Sequence, residues 1–142
     1  MPVSAHRFPS DLHYCVEHQV WARLHGDGTA TVGITSLGIT LAGGEIYMCR
    51  PKSVGAVVEA GRSVAVVELA KSIVSVKSPV SGVVVEVNPL LADLPERVHE
   101  DCYGEGWLAR LKLTDAEADL ARLLHGEPVA AAMEHHAWLN RT

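Results

Sequence analysis

Valine is the residue that most narrows what this chain can fold into: 13 of its 19 valines lie between Val54 and Val87, where Gly55, Gly61, Pro79 and Gly82 interrupt them. β-Branched side chains crowd the preceding turn of a helix but fit a pleated surface, so a valine-rich, glycine-punctuated stretch predicts short strands joined by turns. Val64-Ala65-Val66-Val67-Glu68 reads as a strand covered on both faces. Ile73-Val74-Ser75-Val76-Lys77 alternates, with Val74 and Val76 on one side. The four residues Leu69-Ala70-Lys71-Ser72 separate the two. Strands this close must fold back as a hairpin, which sets Lys71 at or near an exposed tip. Neither Gly nor Asn is present there to supply the positive φ of the favoured two-residue turns, so proximity and not turn chemistry carries the expectation.

The rest of the chain continues the pattern. Val20–Leu24 and Ala30–Ile34 flank His25-Gly26-Asp27-Gly28, whose Asp-Gly step signals a hairpin. Thr35 to Ala42 is expected to form one or two helical turns before Gly43-Gly44, followed by a strand over Glu45–Cys49 that Pro51 terminates. Val80–Val87 reads as a further strand, Leu90–Asp93 as a helical turn, and Trp107–Leu113 as a returning strand with Trp107, Ala109 and Leu111 on one side. Thr114 with Glu117 three residues later forms a capping-box pattern, predicting a helix with apolar Ala118, Leu120, Ala121 and Leu124 that stops at Gly126. A second helix after Pro128 spaces Val129, Met133 and Ala137 on one face. The expected fold is mainly β, a compact antiparallel sandwich or barrel with a short C-terminal helical appendage.

Composition removes several function classes. A chain of 142 residues fits a single domain, with a core over residues 14–113 and helices over 114–139. No apolar stretch reaches the length of a membrane span, and a net charge of -5 opposes nucleic-acid binding. The Met1–Pro9 segment lacks a secretory or transit pattern, so a cytoplasmic location is expected. The three cysteines, Cys15, Cys49 and Cys102, are odd in number and far apart, and the histidines are scattered apart from adjacent His135-His136. Neither set suits a disulfide framework or a metal centre, and no nucleophile elbow or phosphate loop is present, so no catalytic machinery is expected.

Five segments in order resemble the glycine-cleavage H protein family: Glu17-His18 before Trp21, then 30–35, Val66–Lys71, Ser78-Pro79-Val80-Ser81-Gly82 leading to Glu86-Val87-Asn88, and Tyr103-Gly104-Glu105-Gly106-Trp107-Leu108. The resemblance implies a barrel-sandwich hybrid fold of the lipoyl and biotinyl carrier kind, and a non-catalytic carrier bearing covalent lipoate as N6-lipoyllysine. On it, Lys71 takes the attachment position, with Glu68 read by the lipoylating enzyme. The rigid hairpin would supply position and the cofactor reactivity.

In typical H proteins the loaded arm lies near an acidic residue after the His of the first strand and an Asp four residues beyond the lysine. These positions fall on Gln19 and Ser75, a neutral candidate arm pocket. Neutral side chains serve a cationic aminomethyl cargo less well than carboxylates do. With the apolar Leu69–Val74 stretch, Met48–Lys52 and His135-His136, they make the chain look like the H-protein-like lipoate-binding proteins of bacterial sulfur oxidation, which serve a heterodisulfide-reductase-like complex. That is the leading expectation. The alternatives are the glycine-cleavage carrier, working between glycine decarboxylase and aminomethyltransferase, and an unmodified β-domain binding module. Further implied partners are a lipoate-protein ligase and dihydrolipoamide dehydrogenase. Cys49 and Cys102 are read as buried thiols and not as partners in exchange with the arm.

Overall fold

A computed structural model describes residues 6–141; Met1 to Ala5, the start of the segment read for targeting signals, lie outside the described residues. Its strands are β1 (His13–Cys15), β2 (Val20–Leu24), β3 (Thr29–Ile34), β4 (Met48–Pro51), β5 (Val57–Val58), β6 (Ser63–Leu69), β7 (Ser72–Lys77), β8 (Gly82–Val87) and β9 (Ala109–Leu113). The helices are α1 (Ser36–Ala42), α2 (Arg97–Glu100), α3 (Ala116–Ala121) and α4 (Pro128–Leu139), with a 3-10 turn at Pro89–Ala92. A six-stranded sheet runs β1-β2-β3-β9-β8-β5 and a three-stranded sheet runs β4-β6-β7; their named pairings are antiparallel. The fold is the mainly β, barrel-sandwich arrangement with a short helical C-terminus. One cluster of buried side chains reaches from Leu12 to Met133 and joins both sheets to α4.

Two glycines show how tightly the larger sheet closes. Trp21 lies opposite Gly33 in the β2–β3 ladder, and a Cβ at Gly33 would land inside the indole. The ring is fully buried, and its Nε1 donates to the carbonyls of Ile34 (3.1 Å) and Cys102 (3.2 Å). Gly38 on α1 meets Gln19 in the same way: an added Cβ would stand 2.7 Å from the Gln19 Cβ. Thr35 caps α1 by accepting from the Gly38 N–H (3.0 Å), and Gly43 ends it at φ 134°.

Several expectations are corrected. The strand placed at Glu45–Cys49 begins at Met48 and ends on Pro51, which an edge strand tolerates because one side of its backbone needs no partner. Ile46 is buried but outside the ladder, its N–H donating to His99 Nδ1 (2.9 Å). The strand read as Val80–Val87 begins at Gly82, where a Cβ would strike the Lys112 carbonyl, and the strand read from Trp107 begins at Ala109. Val66 is 37% exposed, so β6 is not covered on both faces. The capping box does not form: α3 starts at Ala116 with Asp115 before it and no side-chain cap bond. Nor does its apolar face turn inward, since the buried residue of α3 is Asp119, which accepts from the Ser81 N–H (2.6 Å) and from Arg122 (2.7 Å). A short helix fastened by one ion-paired carboxylate leaves Ala118 and Ala121 in solvent.

Candidate functional site

The β6–β7 hairpin pairs Leu69 with Ser72, so Ala70 and Lys71 alone form its turn. Both residues keep negative φ, since Gln19 is the one non-glycine with positive φ among the described residues. Lys71 is exposed, and among the described residues its ammonium has neither an ion pair nor a hydrogen bond. Glu68 sits on the outer face of β6, cross-strand from Met48 and Ile73. A strongly exposed Ile73 (70%) and Tyr47 (59%) flank the tip.

Beside the hairpin lies a cavity of about 340 Å³. Gln19 and Ser75 both line it, brought together from the β1–β2 connection and from β7. Apolar side chains from β3, α1, β6 and β7, among them Ile34, Ile39, Val67 and Val74, form its walls. Its polar rim also carries Glu17, His18, His136 and Asn140.

The two sequence-derived pocket residues differ in what they can do. Gln19 is 5% exposed and held at φ 55°, and every polar atom of its amide is committed. Nε2 donates to the Val16 carbonyl (2.8 Å) and to the Met133 sulfur (3.2 Å), while Oε1 accepts from the Thr35 hydroxyl (2.6 Å). Gln19 therefore fastens the β1–β2 turn to α1 and α4 and offers a visitor no free N–H donor. Ser75 is exposed, and its Oγ accepts from Lys77 Nζ (3.1 Å). Lys77 thus sets an ammonium against Ser75, a residue of the cavity lining.

Sequence reasoning passed over Glu17, His136 and Asn140 as site residues. Glu17 was visible inside the Glu17-His18 motif, and it gives the cavity an exposed carboxylate two residues from Gln19. His136 and Asn140 reach the cavity because Val129 and Met133 anchor α4 in the core, a tertiary fact with no local signature.

The thiols sit apart from this chemistry. Burial pushes both Cys49 and Cys102 up to about 12, and it raises Cys15 as well, so the reactive thiolate form is suppressed. Among the described residues no three His, Cys, Asp or Glu side chains form a metal-holding group, and no helix is long and apolar enough to cross a membrane.

A compact β sandwich that exposes on a two-residue hairpin tip a lysine without a partner among the described residues, with a lined cavity alongside, suits a carrier domain of the kind that bears a covalent arm. Residues 12–136 match the family described as Glycine cleavage H-protein. A glycine cleavage system H protein of Marinobacter nauticus is 46% identical over 129 residues, covering 91% of this chain and 95% of the relative. Another from Stenotrophomonas maltophilia is 45% identical over 127 residues (89% and 95%), and H protein 3 of Aquifex aeolicus is 40% identical over 131 residues (90% and 81%). A crystal structure of a glycine cleavage system H protein from Mycobacterium marinum superposes with a TM-score of 0.74 at 30% identity, covering 94% of this chain and 98% of that one. The chain belongs to the glycine cleavage H-protein family, whose members are non-catalytic carriers of lipoate attached to a lysine.

Proposed function

We propose that Lys71 carries lipoate in amide linkage and that the protein shuttles the aminomethyl group from glycine decarboxylase to aminomethyltransferase, with dihydrolipoamide dehydrogenase reoxidising the arm, all in the cytoplasm. The observation that carries this reading is Glu17, a carboxylate in the cavity beside the exposed Lys71 tip. Ser75 follows Lys71 along an extended strand by about 13 Å, so the cavity lies within reach of a long tethered side chain. When attached, the group supplies a dithiol that holds and releases a small cargo on sulfur. The protein does the rest. Acylation removes the Lys71 charge. Glu17 offers a charge-assisted hydrogen bond to the cargo ammonium, and Ile34, Ile39, Val67 and Val74 shield it from water. Glu68 on the outer face of the hairpin gives a lipoate-protein ligase a charge to read.

The sulfur-oxidation reading, with its heterodisulfide-reductase-like complex, rested on neutral Gln19 and Ser75 together with the apolar Leu69–Val74 stretch, Met48–Lys52 and His135-His136. Glu17 supplying a carboxylate to the same cavity weighs against a neutral pocket, and the relatives named above are glycine cleavage system H proteins, which favours the glycine carrier. The test is intact mass, for wild type and Lys71→Arg, after coexpression with a lipoate-protein ligase and lipoate, then after incubation with glycine and glycine decarboxylase. One lipoyl mass in wild type alone, followed by an aminomethyl increment, supports the proposal. Lipoylation with no increment refutes the glycine carrier, and no lipoylation with any ligase favours the unmodified binding module.

A further inference from the structure

We propose that His136 is a positioning residue that makes the seating of the cationic cargo depend on pH: as a neutral imidazole it leaves Glu17 to receive the ammonium, and as an imidazolium it takes up the Glu17 charge and repels the cargo. The inference rests on the glycine-carrier reading and concerns the regulation of that site.

His136 and Glu17 line the same cavity of about 340 Å³, so a cation seated there shares with the ring a partly desolvated space in which charge counts for more than in bulk water. The backbone that carries the ring is held in place. Met133, three residues earlier, is buried in the core and accepts from Gln19, and the His136 carbonyl accepts from both the side chain (2.8 Å) and the backbone N–H (3.1 Å) of Asn140. The charged and titratable groups around the cavity are few. The β1–β2 connection brings Glu17 and His18, and β7 brings Ser75 with Lys77 bonded to it. The lining residues of α1 and Ile46 carry no titratable group, and His135 adjoins on the same helix. Burial, followed by repulsion from His135, lowers the His136 pKa from the ordinary imidazole value, which favours the neutral ring at neutral pH.

The experiment uses lipoylated protein loaded with the aminomethyl group, as wild type, His136→Gln and His18→Gln. Without partner enzymes, water displaces the cargo as formaldehyde and ammonium and leaves the free thiol. An unseated arm loses it faster, and the intrinsic pH dependence of this hydrolysis cancels in a ratio of rates. Between about pH 7.5 and about pH 5.5 the wild-type to His136→Gln ratio is expected to rise at least about fivefold. A ratio that stays constant within about 1.5-fold overturns the proposal, as does loss of the pH dependence in His18→Gln instead. In parallel, the His136 ring resonances are titrated by NMR: loading is expected to lower the midpoint, and an unchanged midpoint overturns the proposal. Failure of the parent reading shows separately, as absence of the aminomethyl mass increment on lipoylated protein, and takes this inference with it.

Discussion

Gln19→Glu is the substitution on which a reading from sequence and a reading from structure disagree most sharply. Viewed along the chain, it restores a carboxylate next to His18 and should help a cationic cargo. In the structure it installs an acceptor where two donations are required. Thr35 could still donate to the new side chain, but the contact with the Val16 carbonyl at 2.8 Å would oppose two oxygens, and the Met133 sulfur would lose its donor. At 5% exposure, a carboxylate with one good partner and one orphaned carbonyl beside it costs about 2–4 kcal/mol at neutral pH. Burial raises the folded-state pKa of such a group, so the loss is full above that pKa and disappears as pH falls toward the unfolded glutamate value of about 4.3. Once protonated, the introduced carboxyl can donate to Val16 again. Urea unfolding of wild type, Gln19→Glu and neutral Gln19→Met at about pH 7.5 and about pH 5 would read this directly. The expected gap for the Gln19→Glu variant closes to about 1 kcal/mol on acidification, while the Gln19→Met gap of about 1–2 kcal/mol holds constant. A Gln19→Glu variant within about 0.5 kcal/mol of wild type at the higher pH would refute the reasoning and return Gln19 to the role of a free pocket residue.

The other predictions divide between tip and scaffold. Lys71→Arg keeps the charge at an exposed turn, so stability should change by less than about 0.5 kcal/mol while the lipoyl mass increment vanishes; a retained increment would move the attachment elsewhere. Gly33→Ala forces a methyl group into the Trp21 indole and should cost about 2–4 kcal/mol by thermal unfolding, with loss of native tryptophan fluorescence. Asp119→Ala leaves the Ser81 N–H without its acceptor and removes the anchor of α3, an expected loss of about 1.5–3 kcal/mol in urea. Ser75→Asp alone should pair with Lys77 and change cargo retention by less than about twofold, whereas Ser75→Asp with Lys77→Ala should lengthen it severalfold; equal effects would show that Lys77 does not screen the site.

What could be read from the sequence was whatever a few neighbouring residues decide. The β6–β7 hairpin follows from β-branched runs separated by too few residues to do anything but turn, and Lys71 reaches its tip for that reason. The Asp27-Gly28 turn is equally local: Asp27 Oδ1 accepts from the Thr29 N–H (3.0 Å) and hydroxyl (2.6 Å), and Gly28 takes φ 85°. Errors arose where tertiary contacts override local preference. Thr114 has the residues of a capping box, yet its N–H donates to the Ser81 carbonyl (3.1 Å), which keeps the segment extended by one more residue than the pattern allows. Leu108 is fully buried and its N–H donates to Val32 (2.9 Å) though it lies outside the strand, so alternation could not assign it a face. The cavity was half legible: Gln19 and Ser75 do line it, but nothing along the chain says that α4 returns to complete the rim or that the Gln19 amide is spent inside.

That contrast has a consequence for how the site tolerates change. The tip is a local structure on a paired hairpin, its lysine free of bonds to the described residues, so substitutions there are expected to act on modification and leave the fold alone. The seat is assembled from the β1–β2 turn, α1, β7 and α4, and its linchpin Gln19 is also a structural bond between three of them. Altering the seat through Gln19 therefore changes stability and cargo preference together, whereas Glu17, Ser75 and His136 on the partly exposed rim can vary with little cost to the core. Divergence among carriers of this architecture should accordingly run most freely through the rim, whereas a change at the Gln19 position requires matching changes in its bonded partners. The physical expectation is additivity: a rim substitution combined with Lys71→Arg should leave unfolding free energies summing to within about 0.5 kcal/mol, while Gln19→Met combined with Thr35→Val should depart from additivity by more than that, because the two residues share one buried hydrogen bond.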